Sequence, residues 1–252
     1  MSRRTARALF DASRIRMDEL GETEAAMAGF ERVMREYPDA GNGARALFFR
    51  LGPFREADDT AGAVAYLNAL YPEVRSTTLG DDVLRAKADL LLLEGDRAGA
   101  RAALELLVRN HPYPSGHRWD DALTSLAEMD IEDGNPEAAI EHLRKLVAVH
   151  ETTTMTGSYT LPTFARAQLR IAQIYRDQLE DRDAADREYV SMIRNFSRSA
   201  LRDDAHFERG AMWLDAGEVD RGCGILQGVV REYEVGHARR SAEERLRSDC
   251  QD

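Results

Sequence analysis

Cysteine, lysine and long apolar runs are scarce in this chain of 252 residues. The two cysteines, Cys223 and Cys250, are too few for a disulfide framework, and their positions do not mark them as partners, so we expect two free thiols. No run approaches the roughly 20 apolar residues of a membrane span, and no signal-peptide core follows the basic start. The sequence as written therefore predicts a cytoplasmic protein, or a periplasmic one if a leader was removed.

The near absence of lysine, found only at Lys87 and Lys145, accompanies a formal net charge of −11. Because a phosphate backbone requires a basic surface, this charge argues against nucleic acid as a partner. The six histidines show no metal-ligand spacing, and no serine or cysteine lies in a nucleophile motif. The glycine-rich stretch 222–228 has no nucleotide-loop spacing and predicts close helix packing instead. We expect no catalysis, no metal and no cofactor.

One stretch, Leu84 to Pro112, shows what the chain does contain. Apolar residues recur at helical spacing on both sides of a turn, which predicts two amphipathic helices. The first stripe is Leu84, Ala88 and Leu91, and the second is Ala100, Leu104, Leu107 and Val108.

The ends of these two helices carry their own signals. Gly95 suits the end of the first helix, where a positive φ is needed, and Asp96 is placed to cap the second. Pro112 follows the second helix because proline cannot continue it. Asp81 is a plausible N-cap for the first helix, and Pro53 should bend or interrupt an earlier one.

This helix–turn–helix pattern recurs, with changes, along most of the chain. It resembles the tetratricopeptide repeat, a helix pair of about 34 residues that stacks into a right-handed α-solenoid. The resemblance implies an all-α fold and a single domain over 1–252, with six repeats at about 5–38, 44–72, 81–112, 119–150, 164–197 and 200–235, and a cap at 236–252.

The tetratricopeptide resemblance also implies which residues face a concave groove, because particular positions of each first helix line it. Acidic residues outnumber basic ones among the positions so assigned. The partner-binding residues that we predict are Asp82, Arg85, Asp89, Leu92, Asp121, Glu128, Ile131, Arg166, Arg176 and Phe207. If the acidic members repel one another, their replacement by amides should leave melting unchanged or raised.

These positions favour a non-catalytic scaffold that binds a protein or peptide in the groove. We expect a partner of basic or mixed charge, held by Leu92 and Ile131. The alternative is the sensor domain of a regulator that binds a small ligand. The stretch RDDAHFERGAMWLDAGE, with VVREY after it, resembles repeats of bacterial envelope proteins such as Tol–Pal accessory proteins and outer-membrane assembly lipoproteins.

The segment 151–163 is the one part of the chain without a helical period. It is rich in threonine and carries Gly157 and Pro162. Connections of this length are uncommon between packed helices and are either disordered or functional. Both interpretations, a disordered surface insertion and a docking loop, follow from the sequence.

Overall fold

The computed structural model describes residues 3–149 and 161–250 of the chain. Within these ranges it contains fourteen helices and no strand, which confirms the all-α prediction. The helices divide into two compact units, one formed up to Leu126 and the other from Ala127. Helix α8 (Trp119–Glu132) spans this boundary.

In the first unit, consecutive helices pack in pairs, and each pair packs on the next. Helix α3 contacts α6, and α2 contacts α5, so first helices stack on first helices and second on second. The helices of this unit before α8 are α1 (Arg3–Asp18), α2 (Thr23–Glu36), α3 (Gly43–Arg50), α4 (Gly52–Glu56), α5 (Thr60–Val74), α6 (Leu79–Leu93) and α7 (Arg97–Asn110).

In the second unit consecutive helices also pack against one another, and a single helix packs on the last pair. Its helices after α8 are α9 (Pro136–Ala148), α10 (Leu161–Asp177), α11 (Arg182–Asn195), α12 (Arg202–Asp215), α13 (Val219–Glu232) and α14 (His237–Asp249). Residues 161–163 belong to α10, whereas the rest of the threonine-rich segment lies outside the described residues.

Aromatic rings form the start of the core of the first unit. Phe10 of α1 lies 5.6 Å, centroid to centroid, from Phe30 of α2, which stacks at 5.1 Å on Phe49 of α3. Farther along, α7 buries Leu104 and Leu107 on the stripe that the sequence predicts. Burial of such side chains stabilises the unit by about 1.5–3 kcal/mol each.

The turn chemistry predicted for the pair α6–α7 is confirmed. Gly95 has φ +81°, and the Asp96 carboxylate accepts a hydrogen bond from the Gly99 amide at 2.9 Å. Where the turn glycine is absent, before α11, Glu180 adopts φ +53° and Asp181 caps the helix through the Ala184 amide. The aspartate cap is therefore the same in both turns, although Glu180 adopts the left-handed conformation less readily than glycine does.

Of the two remaining predictions about helix ends, the cap at Asp81 is wrong and the interruption at Pro53 is confirmed. Asp81 does not cap α6, because that helix begins at Leu79 and places Asp81 inside its first turn. The predicted interruption at Pro53 is confirmed, since α3 ends at Arg50 and α4 begins at Gly52. Pro53 has no amide hydrogen, so it cannot continue the hydrogen-bond series of α3.

Cys223 and Cys250 form a disulfide, so the expectation of two free thiols is wrong. Their Cα atoms lie 6.0 Å apart across a sequence separation of 27 residues. The bond joins α13 to the end of α14. The sequence conceals this pairing because the contact depends on how α14 folds back.

The close packing predicted for the glycine-rich stretch 222–228 is found at its first residue. A Cβ on Gly222 would lie 2.6 Å from Leu214 Cγ and 2.8 Å from the Leu214 amide nitrogen. In the same interface, a Cβ on Gly210 would lie 2.6 Å from Leu226 Cδ2. Helices α12 and α13 therefore approach at a distance that only glycine permits at these two positions.

Candidate functional site

In the first unit, the predicted groove residues of α6 and α8 lie together but are already paired with arginine. Asp82 Oδ1 accepts from Arg118 Nε at 2.9 Å, and Arg118 also lies 3.4 Å from Asp121. Burial raises the pKa of Asp82, and the Arg118 guanidinium opposes this rise. The expected row of mutually repelling carboxylates is therefore wrong here, because basic side chains lie between them.

Arg85 forms an ion pair with Asp89. Its Nη2 lies 2.9 Å from Asp89 Oδ1, and its Nη1 donates to Ser125 Oγ at 2.8 Å. Arg85 thus connects α6 to α8 within the first unit. The nearby anchor Leu92 is 36% exposed, and it does not line any of the cavities described below.

In the second unit, Glu128 is likewise neutralised. Arg170 binds it through two hydrogen bonds, of 3.0 and 2.8 Å. Ile131 is partly buried and Arg166 is exposed. Neither carries a contact that assigns it a role.

The two remaining predicted residues take part in the structure of the second unit. Arg176 donates to Tyr189 Oη at 2.7 Å and to Glu208 Oε2 at 2.9 Å. Burial raises the pKa of Tyr189, and the Glu208 carboxylate raises it further. Phe207 packs against the apolar cluster beneath α14. Both side chains therefore stabilise the fold at these positions.

Four cavities in the first unit form a series in which each shares lining residues with the next. Neighbouring cavities have Thr78 and His117, then Asp82 and Arg118, then Leu51 and Arg55 in common. Their volumes, from the polar end to the apolar end, are about 480, 240, 340 and 210 Å³. We call this feature the α3–α6 furrow.

The α3–α6 furrow changes in chemistry along its length. Its polar end is lined by residues that carry charges or hydrogen-bonding groups, namely Arg3, Arg7, Asp39, Asn42, Thr78 and His117. Its middle contains the paired residues Asp82, Arg85, Asp89 and Arg118. Its far end is mainly apolar, with Leu51, Phe54, Ala63, Leu90 and Leu93 beside Arg55, Asp58, Asp59 and Thr60.

Two large apolar side chains on this furrow are exposed. Phe48 is 60% exposed and Leu93 is 78% exposed. The Arg55 guanidinium lies 4.2 Å from the Phe48 ring centroid and donates to the Phe48 carbonyl oxygen at 3.0 Å. A cation above an aromatic face stabilises that ring's orientation, so Phe48 is held facing the furrow.

Asp81 positions the arginine at the middle of the furrow. Its carboxylate is fully buried and accepts hydrogen bonds from the backbone amides of His117 at 2.6 Å and Arg118 at 3.3 Å. The 111–118 connection is thereby fastened to α6, which places the Arg118 side chain against Asp82. The sequence signal was the acidic pair at 81–82, but its partners lie about 36 residues away.

Among the furrow residues absent from the predicted site are Phe48, Arg55, Leu90, Leu93 and Arg118. Phe48 and Leu93 directly follow the buried Leu47 and the predicted Leu92, so the clue was an extra apolar residue beside each stripe. Such residues are common on surfaces and need no explanation singly. It is their lining of one furrow that makes them candidates.

Nothing in the described ranges suggests a metal centre or a membrane span. No group of three or more His, Cys, Asp or Glu side chains in residues 3–149 and 161–250 is arranged to hold a metal ion. Among the same residues, no helix has the length and apolar content to cross a bilayer.

Comparison with known proteins bears on the fold of this chain. A family model described as a tetratricopeptide repeat matches residues 7–40, which contain most of α1 and all of α2. No curated protein matches the chain.

Two solved structures resemble the fold over most of the chain. The crystal structure of MamA protein has 16% identity and a TM-score of 0.50, with 84% of this chain and 98% of that chain covered. The C-terminal part of a TPR repeat-containing protein from Cytophaga hutchinsonii has 13% identity and a TM-score of 0.54, with 91% and 78% covered. We conclude that this chain has a tetratricopeptide-repeat fold and carries a recognisable tetratricopeptide repeat in its first helix pair.

Proposed function

We propose that this protein is a non-catalytic scaffold whose first unit binds a segment of a partner protein along the α3–α6 furrow. The observation that carries the proposal is the furrow itself, a series of four cavities that exposes Phe48 in its middle and Leu93 at its apolar end. Exposed apolar groups in a groove with a polar rim are typical of protein-interaction sites.

The apolar end supplies the anchor in this proposal. The cavity beside Leu51, Phe54, Leu90 and Leu93 has a volume of about 210 Å³ and is open to the exposed Leu93 side chain. One bulky aliphatic or aromatic side chain of the partner would fill it and remove these groups from water. We therefore move the anchor from Leu92 and Ile131 to Leu90 and Leu93.

The charges of the middle of the furrow decide between a basic and a mixed-charge partner. Asp82 and Asp89 are held by Arg118 and Arg85, so an added cation would compete with an arginine that is already present. A segment that carries both signs can instead exchange partners with the existing ion pairs. We propose a mixed-charge segment with one large apolar residue.

A photo-crosslinking amino acid at position 48 of the full chain tests the site. Cross-linked peptides identify the partner segment, which is then synthesised and titrated against three chains. Leu93→Asp should weaken binding at least tenfold, or about 1.4 kcal/mol. Val235→Asp is the matched control, because Val235 is 83% exposed but lies outside the furrow, and it should bind like the unchanged chain.

Equal binding by both variants would show that the furrow is not the site. A peptide that lacks the apolar residue should bind as weakly as the Leu93→Asp chain does. A small metabolite that protects position 48 from cross-linking would instead support the sensor-domain alternative.

The disulfide favours an oxidising compartment, because such bonds persist mainly in secreted and periplasmic proteins. We propose an envelope location on this ground and on the resemblance of the last two repeats to envelope-type repeats. The measurement is thiol labelling of the protein in intact cells. Rapid labelling of both cysteines without a reductant would contradict this location.

A further inference from the structure

The last helix, α14, has few apolar contacts of its own. Only Ala238 and Ala242 are fully buried, and Leu246 is partly buried one turn later. The remaining surface is rich in arginine and glutamate. Two alanine methyl groups remove little apolar area from water, so burial alone holds this helix weakly.

The surface beneath α14 is much more apolar than α14 itself. It belongs to α12 and α13 and contains Leu214, Leu226 and Val229, with Phe207 and Tyr233 at its edge. In a helical-repeat array such a face is covered by the next repeat. Here α14 is the cover.

Polar contacts fasten the first turn of α14. The Arg239 guanidinium donates to the carbonyl oxygens of Val230 at 2.6 Å and Tyr233 at 2.9 Å. These bonds provide donors for carbonyl oxygens at the C-terminal end of α13, which have no partner within the helix. They lie near the start of α14, so they do not secure its far end.

At the far end, two attachments are present besides the apolar contact of Leu246. Arg245 pairs with Asp215 at 2.6 Å, but the Asp215 side chain is 64% exposed, and exposed ion pairs contribute little. The other attachment is the covalent bond between Cys250 and Cys223. The disulfide is therefore the principal fastening of this end.

We infer that the Cys223–Cys250 disulfide is a redox-sensitive latch that keeps α14 over the apolar face of α12 and α13. A dithiol reductant opens it. The reductant thiolate attacks Sγ of Cys250, the more exposed of the two residues, and Cys223 leaves as a thiolate and takes up a proton. The second thiol of the reductant then releases Cys250 and closes the reductant's own disulfide.

The opened latch leaves α14 as a short helix with weak support. A helix of 13 residues is marginal in water when packing does not hold it. It unfolds from the C-terminal end, and Leu226, Val229 and Phe207 become accessible. Reduction thus converts a covered face into an apolar surface of the size of one helix.

Hydrogen exchange on the full chain, read by mass spectrometry, tests this inference. The oxidised protein is compared with protein treated with dithiothreitol, and intact mass verifies that two hydrogens were added. We expect amides of 240–249 to exchange at least tenfold faster after reduction. Amides of α2 should be unchanged, and reoxidation should restore protection.

Two further chains keep the result interpretable. The double variant C223S/C250S should exchange like the reduced protein and show no response to dithiothreitol. Arg245→Ala, left oxidised, should keep protection within twofold of the unchanged chain.

Three outcomes overturn the inference. One is equal protection of 240–249 in the oxidised and reduced proteins. Another is an Arg245→Ala chain that exchanges as fast as the reduced one, which would make the ion pair the fastening. The third is a reduced chain in which the amides of 240–249 stay as protected as those of 161–236, which would mean that α14 opens only together with the whole unit.

Discussion

Arg118 contacts Asp82 through Nε and Oδ1 at 2.9 Å, in the middle of the furrow where the sequence predicts an unrelieved acidic wall. The pair joins the start of α6 to the residue that precedes α8. Its geometry depends on Asp81, whose buried carboxylate holds the backbone of 117–118. The two adjacent acids therefore have different roles. Asp81 positions the backbone, and Asp82 pairs with the Arg118 side chain.

Removal of Arg118 should destabilise the first unit. Arg118→Ala leaves the Asp82 carboxylate, whose side chain is 13% exposed, without its cation. A cost of about 1–3 kcal/mol is typical when a buried polar group loses its partner. Urea unfolding measures the loss. The double variant D82N/R118A should lose less than the sum of the two single variants, and simple additivity would contradict the pairing.

Replacement of the four predicted groove acids should lower the melting temperature. The sequence alone predicts no change or a rise, but the carboxylates of Asp82, Asp89, Asp121 and Glu128 face Arg118, Arg85 and Arg170. Amides at these positions leave the arginines uncompensated. Calorimetry of the quadruple Asn/Gln variant is the measurement. Added salt should narrow the difference from the unchanged chain, because screening weakens exposed pairs.

A charge at Leu104 should unfold the first unit, whereas the same charge at Leu93 should not. Leu104 is 1% exposed and Leu93 is 78% exposed. A buried unpaired carboxylate costs several kcal/mol, which is comparable with the ~5–15 kcal/mol that holds most domains folded. Circular dichroism during heating compares Leu104→Asp with Leu93→Asp. Equal melting of the two variants would show that Leu104 is not a core residue.

Stability should fall as pH drops below about 6.5, the unfolded histidine pKa. Burial lowers the pKa of His111, which Asp81 opposes, and of His206, which Glu232 opposes. The unfolded chain therefore binds these protons first, so the stabilisation is complete above pH 6.5 and is lost as pH falls toward the folded values. Each histidine changes the free energy of unfolding by up to about 1.4 kcal/mol per pH unit in this range.

Urea midpoints between pH 5 and 7 test that slope. His111→Gln and His206→Gln should each reduce it, and the double variant should reduce it most. An unchanged slope in the double variant would assign the acid sensitivity to other groups. Carboxylates with lowered pKa values, such as Asp186 beside Arg209, lose their contribution at a lower pH than the histidines do.

Loss of the disulfide should destabilise the second unit. The bond closes a loop with a sequence separation of 27 residues, for which chain entropy predicts about 3.5 kcal/mol. Thermal unfolding of C223S/C250S measures the effect. If C223S/C250S melts at the same temperature as the oxidised chain, the disulfide does not stabilise the unit by restricting its unfolded state.

The helices, their turns and their caps could be predicted because each depends on neighbours in sequence. The spacing of Leu104 and Leu107 is a property of one helix, and the Asp96 cap reaches only to Gly99. The recurrence of these signals was enough to indicate a helical-repeat protein. The fold class, confirmed by the all-helical structure, thus follows from local chemistry repeated six times.

The candidate site could be predicted only in part, because its members come from separate helices. The sequence places Asp82, Arg85 and Asp89 on one face of α6, and they do line the furrow. It contains no signal that Arg118 lies opposite Asp82, or that Phe48 and Arg55 complete the wall. The tetratricopeptide positions indicate which face of a helix lines the groove, but not which charged side chains lie opposite that face.

The sequence by itself determined the helical repeat of this protein, since side-chain period, glycine turns and aspartate caps act within one helix pair. Only the tertiary structure decided the role of Asp81, the pairing of Asp82 with Arg118, and the bond between Cys223 and Cys250. These contacts join residues 27 to 37 positions apart in sequence. Their partners are chosen by how helices stack, which no local pattern encodes.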